Sequence, residues 1–291
     1  MPSSQVSNDA LPVNVSNTVA SVLERYLGEV HASVPGLLEG VYLTGSVALG
    51  DFHARWSDVD FVSVCRERPT TEQQGKLADV HERMAAKRAR PVLDGWYLTW
   101  EDLAAPPDRN STLGLRAHEG VLRTGRNSVP PVLLWHELFD HGLHVFGPGL
   151  DEREIALDPD AVRAWCLDNL ETYWTPWWDR NSKLLSASGI GGLGSWAPAW
   201  GVLGVTRIHY TLSTGKITSK CGGGEWALAL VEPEWRQILR ECLRIRNRPD
   251  RRSLYRNPLR RRRDMLTFMD LLMTDDEDVF AGAGPVAAPG S

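Results

Sequence analysis

Apolar residues recur at three- and four-residue steps between Val15 and Val34, at Val19, Val22, Leu23, Tyr26, Leu27 and Val30. That is the period of a helix with one buried face. Two short runs rich in β-branched residues follow, Val41 to Thr44 and Val59 to Cys65, and they read as strands joined by Gly45 to Trp56. Thr71 to Arg90 returns to helical spacing with helix-favouring Glu, Gln, Lys and Ala, and Val92 to Thr99 gives a third strand. Val132 to His141 predicts a further helix, and Leu143 to Phe146 a strand ended by Gly147 and Pro148. Beyond that strand the pattern changes. Pro159 to Thr175, Ala199 to Ser213, Gly224 to Arg246 and Pro258 to Thr274 carry only the helical period.

The expected fold class is therefore α+β. A mixed sheet flanked by helices spans residues 12–155, an all-helical bundle spans 156–275, and loose tails cover 1–11 and 276–291, where Ser, Pro, Gly, Ala or acidic residues replace apolar periodicity. No repeat of fixed period runs through the chain.

Composition narrows the class without naming a function. Apolar residues make up 42% of the 291 and charged residues 24%, which fits a soluble globular protein and excludes wholesale disorder. The net charge of −5 does not point to a polyanion partner. Cys65, Cys166, Cys221 and Cys242 are widely spaced, with no Cys-x-x-Cys pair and no histidine at zinc spacing, and read as free thiols. The first residues lack the basic start and apolar core of a signal peptide, and no run of about 18 apolar residues offers a membrane span. A cytoplasmic protein with no membrane partner is expected.

The chemistry concentrates in Leu43 to Asp60, whose core is Gly45-Ser46 followed after eleven residues by Asp58-x-Asp60. Gly45 allows a tight turn and a close approach of backbone to phosphate, and the Ser46 hydroxyl can bond terminal phosphate oxygens. No Walker lysine accompanies this cradle. Asp58 and Asp60, two apart on a strand, leave the same face of the sheet and can share metal ions. Hard oxygen ligands in small number suit Mg²⁺, and a pair of ions would sit about 3.5–4 Å apart. A third carboxylate is expected on a neighbouring strand, and Asp94 offers one, as metal ligand or general base.

At these residues the chain resembles the polymerase-β-like nucleotidyltransferases, whose pattern is Gly-Ser and then Asp-x-Asp. A second series, Arg207-Ile-His-Tyr and Thr214-Gly-Lys216-Ile-Thr-Ser-Lys220, with Trp226 after it, is similar to that of the aminoglycoside 3''/9-adenylyltransferases; the resemblance spans roughly residues 20 to 270. It implies an N-terminal nucleotidyltransferase domain and a helical domain closing over the nucleotide. It also implies two Mg²⁺ ions, ATP as co-substrate, and transfer of AMP to a hydroxyl of a streptomycin- or spectinomycin-type drug or a similar small molecule. Arg207 and Lys220, with Lys216 beside them, would contact the triphosphate. A monomer or weak dimer is expected.

Two departures stand out. The family's catalytic base is a strand glutamate where this chain has Asp94, one methylene shorter. Its drug-contacting acids lie just upstream of the Arg207 series, where this chain reads Ser195-Trp-Ala-Pro-Ala-Trp-Gly-Val-Leu-Gly204, without an acid. Candidate acids elsewhere are Glu119, Asp168, Glu171 and Asp179, the last three around Tyr173, Trp174, Trp177 and Trp178, a cluster that reads as core. Transfer to RNA or to a protein side chain is the alternative, raised by the arginines from Arg236 to Arg263. Interleaved acids make that run read as an ion-paired face, so nucleic acid is not the expected partner. His136, His141 and His144 match no metal-binding spacing and receive no role.

Overall fold

The computed structural model describes residues 15–86, 91–105, 107, 114–125 and 128–274. The expected tails, and the last turn of the helix expected to reach Arg90, lie outside them. The chain divides into two compact units between Asp158 and Pro159.

In the first unit, helix α1 (Asn17–Ser33) starts where the Ser16 hydroxyl accepts the Val19 N–H, and it buries Val19, Val22, Leu23, Tyr26 and Val30. Strands β1 (Leu38–Leu43), β2 (Val59–Cys65), β3 (Leu93–Thr99), β4 (Leu115–His118), β5 (Val121–Thr124) and β6 (Leu143–Phe146) form one sheet in the order β5-β4-β3-β2-β1-β6. β2 and β3 run parallel and the other pairs antiparallel. The connection between the parallel pair is helix α3 (Thr71–Ala86). Together with α1 it covers one face of the sheet, closing a core of Leu23, Tyr26, Leu77, Val80, Phe61 and Tyr97. On the other face, the single turn α4 (Trp100–Leu103) and helix α5 (Leu133–His141) close a second core around Tyr42, Val62, Val64, Leu98, Trp135 and Leu138.

The second unit is helical throughout its described residues. Helix α6 (Pro159–Asn169) runs through a π-helical turn at Leu170–Trp174 into α7 (Thr175–Ser182); α8 (Ala187–Gly191), α9 (Trp196–Thr214), α10 (Lys220–Leu230), α11 (Arg236–Asn247) and α12 (Pro258–Thr274) follow. α9 is the central helix, with Ala197, Val202, Leu203, Val205, Thr206 and Ile208 buried. It ends at Gly215, whose φ of +69° supplies the left-handed cap.

The observed α+β architecture is the expected one. Helices α4 and α8 were not expected, and three further differences concern the main elements. The β4–β5 hairpin follows a segment with no strand signal. The single helix expected over Gly224 to Arg246 is two, because Pro233 cannot donate its backbone hydrogen bond in a helix interior. The helix expected to stop at Thr175 continues to Ser182, with Pro176 tolerated in the first turn of α7. Among the described residues, no helix is long and apolar enough to cross a membrane.

Candidate active site

The loop after β1 opens with the short turn α2 (Gly45–Ala48). Gly45 has φ +63°, and a methyl group on its Cα would overlap the Asp60 carboxylate. Only glycine satisfies both demands. The Thr44 N–H donates to the Asp60 carbonyl over 3.0 Å, and the Asp51 N–H to the Ser46 carbonyl over 2.8 Å, so the turn is tied to β2 and to itself. Asp60 is the second residue of β2 and Asp58 directly precedes that strand. The Ser46 hydroxyl is buried with no hydrogen-bond partner among the described residues. Such a group is costly unless something polar meets it.

A carboxylate that sequence reasoning missed also reaches this turn. Glu137 of α5 accepts the Gly45 N–H. No motif flags a glutamate 92 residues away from the glycine it meets; only the packing of α5 on the sheet reveals it.

Asp94 lies opposite Asp60 in the parallel β2–β3 register, so the two side chains share a face of the sheet. Its carboxylate is already engaged on both oxygens. Arg116 Nε donates to Oδ1 over 3.0 Å and Nη2 to Oδ2 over 2.9 Å, a bidentate pair, and His118 Nδ1 lies 2.7 Å from Oδ2. The Arg116 guanidinium also stacks on Trp96, 4.7 Å from the ring centroid. Gly45, Ser46, Asp58, Asp60 and Asp94 thus gather at one end of β2 and β3.

Arg207 and Lys220 sit in the second unit on adjacent helices. α9 and α10 approach closely because Gly223 packs on the Arg207 backbone, where an added Cβ would lie 2.8 Å from its Cα. Lys220 begins α10 and holds its Nζ 3.9 Å from the centre of the Trp200 ring. Lys216 stands apart, exposed on the turn after α9.

The acid-free stretch before Arg207 has a packing explanation. Gly201 and Gly204 leave room for the indoles of Trp177 and Trp174, both buried, so this face of α9 is core and has no place for carboxylates. Trp196 is the exception, 54% exposed and stacked on Trp200 at 5.1 Å.

Residues 187–263 match the sequence model of the aminoglycoside adenylyltransferase C-terminal domain. Over those residues the chain is similar to the aminoglycoside adenylyltransferases. Its fold is similar to that of the spectinomycin adenyltransferase AAD(9) from Enterococcus faecialis, solved with ATP and spectinomycin, with a TM-score of 0.64 at 14% identity over 88% of this chain and 99% of the other. No curated protein matches the chain. The matched segment contains both Arg207 and Lys220.

Proposed function

We propose that the chain moves AMP from ATP to a hydroxyl of an aminoglycoside of streptomycin or spectinomycin type, or of a similar small molecule, and releases pyrophosphate. The observation that carries this reading is the contact between the Gly45-Ser46 turn and Asp60, with a buried Ser46 hydroxyl that has no hydrogen-bond partner among the described residues. A phosphate oxygen is the group such a hydroxyl and turn accept. The similarity to an enzyme solved with ATP and spectinomycin supports the nucleotide and the class of acceptor.

Asp58 and Asp60 supply the hard oxygens that Mg²⁺ prefers, beside the phosphate turn, and would hold it. Bound there, Mg²⁺ neutralises phosphoryl charge and favours ionisation of the attacking hydroxyl. Ser46 and the Gly45 turn would orient the triphosphate, and the resemblance to the adenylyltransferases makes Arg207 and Lys220 the candidate cations for its oxygens. Lys216, exposed on the turn after α9, is the weaker candidate of this set. Asp94, expected as metal ligand or general base, is held by Arg116 and His118, and we read it as serving the acceptor side. A cytoplasmic location accords with use of ATP.

Incubation with ATP, Mg²⁺ and a panel of aminoglycosides, read by mass spectrometry, is expected to yield an adenylylated product. No modified drug across the panel removes the aminoglycoside. Asp60→Asn is expected to abolish transfer, and full activity in that variant overturns the metal assignment. Transfer to RNA or to a protein side chain is the alternative; within the arginine run, Arg261 and Arg262 are buried and bonded to protein carbonyls.

A further inference from the structure

Asp60, Asp94 and His118 form a row across three adjacent strands. Asp60 pairs with Asp94 in the β2–β3 register, and the β3–β4 register, which pairs Gly95 with Ala117, brings His118 opposite Asp94 at its next step. Side chains opposite one another on neighbouring strands share a face, and strands lie about 4.8 Å apart. His118 is thus two strands from Asp60, with Asp94 between them.

The middle member of the row is poorly placed to meet a substrate. Its side chain is 10% exposed and both its oxygens accept hydrogen bonds, three in all from Arg116 and His118. The His118 side chain is 38% exposed. A carboxylate paired with Arg116 accepts protons of neighbours, so His118 donates Nδ1–H to Asp94, which leaves Nε2 as the ring's acceptor.

The turn that carries His118 is built under strain. Strands β4 and β5 pair His118 with Val121, leaving a two-residue loop, Glu119-Gly120, at φ +49° and +80°. Such primed turns favour Asn-Gly, and a glutamate there costs about 1 kcal/mol. Gly120 packs directly on Ala85 of α3, with no room for a side chain. The hairpin end is therefore fixed on both sides.

We propose that His118 is the catalytic base of the transfer and Asp94 its positioning residue. The inference rests on the transfer reaction proposed above. The acceptor hydroxyl gives its proton to His118 Nε2 while its oxygen forms a bond to the α-phosphorus of ATP. The bond from that phosphorus to the β-phosphate oxygen breaks, and pyrophosphate leaves with the electron pair. The imidazolium keeps its Nδ1–H on Asp94 and passes the Nε2 proton to water. Asp94 thereby acts through the histidine, which offsets the methylene by which it is shorter than glutamate.

Transfer by the unaltered chain, with whichever aminoglycoside of the panel it modifies, is measured first; its absence overturns the transfer reading and the dyad with it. His118→Ala is then expected to lower kcat by about 10²- to 10⁴-fold, the usual range for a lost general base, with the KM for ATP within about threefold of the unaltered value. Added imidazole is expected to restore part of kcat in His118→Ala, saturably, and none in Asp60→Asn. His118→Gln, which keeps a polar side chain, is expected to be as slow as the alanine variant. Melting temperatures of both variants close to the unaltered one exclude misfolding as the cause. A kcat for His118→Ala within threefold of normal, or a loss that imidazole does not relieve in a folded variant, overturns the proposal.

Discussion

At Gly45 a backbone requirement and a chemical one coincide. Its φ of +63° belongs to the left-handed region, and its missing side chain is the space the Asp60 carboxylate fills. Gly45→Ala is therefore expected to lower kcat/KM by at least 10²-fold while costing about 1–2 kcal/mol of stability. Steady-state kinetics and a urea unfolding curve on the same variant check both numbers; normal kinetics would show that Asp60 tolerates displacement. Gly45, Ser46, Asp58 and Asp60 were legible because a local motif carries them. Asp94 was legible as a carboxylate on the neighbouring strand, but its partners were not. Arg116 and His118 meet it through the β3–β4 register, set by a hairpin far downstream, and single-sequence periodicity does not reveal register. Glu137 was illegible for a similar reason, since helix α5 reaches Gly45 only once the sheet has formed.

At the scale of elements, α12 shows how a sequence pattern can carry two meanings. Its run Arg260 to Arg263 read as an exposed, ion-paired face, and half of it is: the Arg260 and Arg263 side chains are 60% and 72% exposed near Asp264. The other half faces inward. Arg262 donates to the carbonyls of Asn181, Ser182 and Gly189, and Arg261 to those of Leu193 and Gly194 as well as to Glu241. These carbonyls lie at the end of α7 and around α8, where the chain leaves its helices and backbone acceptors need donors. Two arginines on α12 thus hold a segment whose own sequence, rich in Gly and Ser, specifies little structure. Arg262→Ala is expected to destabilise the protein by about 2–3 kcal/mol, because three carbonyls lose a charged donor. Arg263→Ala is expected to stay within about 0.5 kcal/mol of the unaltered chain. Equal losses in urea denaturation would contradict the division between inward and outward arginines. Helical period predicted that α12 exists, and its apolar stripe at Met265, Phe268, Met269 and Leu272 continues back through Arg261 and Arg262, but the arginines there do not announce burial by their own chemistry.

Across the whole molecule, His81 in the first unit and Glu241 in the second are buried titratable groups whose protonation couples folding to pH, and the two respond in different windows. In the first unit His81 is 1% exposed against Tyr97, and burial lowers its pKa from 6.5 to about 4. The folded state favours the neutral ring, so the unfolded chain binds the proton first as the solution is acidified. Its contribution is complete above pH 6.5, declines below it and is spent by about pH 4, a change of about 3 kcal/mol. In the second unit burial pushes the Glu241 carboxyl up, but hydrogen bonds from Arg244, Ser253 and the Leu254 amide outweigh it and hold it at about 2. Its contribution is present above pH 4.5 and lost as pH falls from there through about 2. His81→Gln and Glu241→Gln separate the two. The stability gap between the unaltered chain and His81→Gln, from urea unfolding, is expected to narrow between pH 6.5 and 4. The gap to Glu241→Gln is expected to stay constant down to about pH 4.5 and to close below it. A His81→Gln gap that does not change from pH 7 to 4 would mean that the histidine is protonated with equal ease in both states, and that the chain of hydroxyls from Ser63 through Tyr26 and Tyr97 stabilises its charged form despite burial.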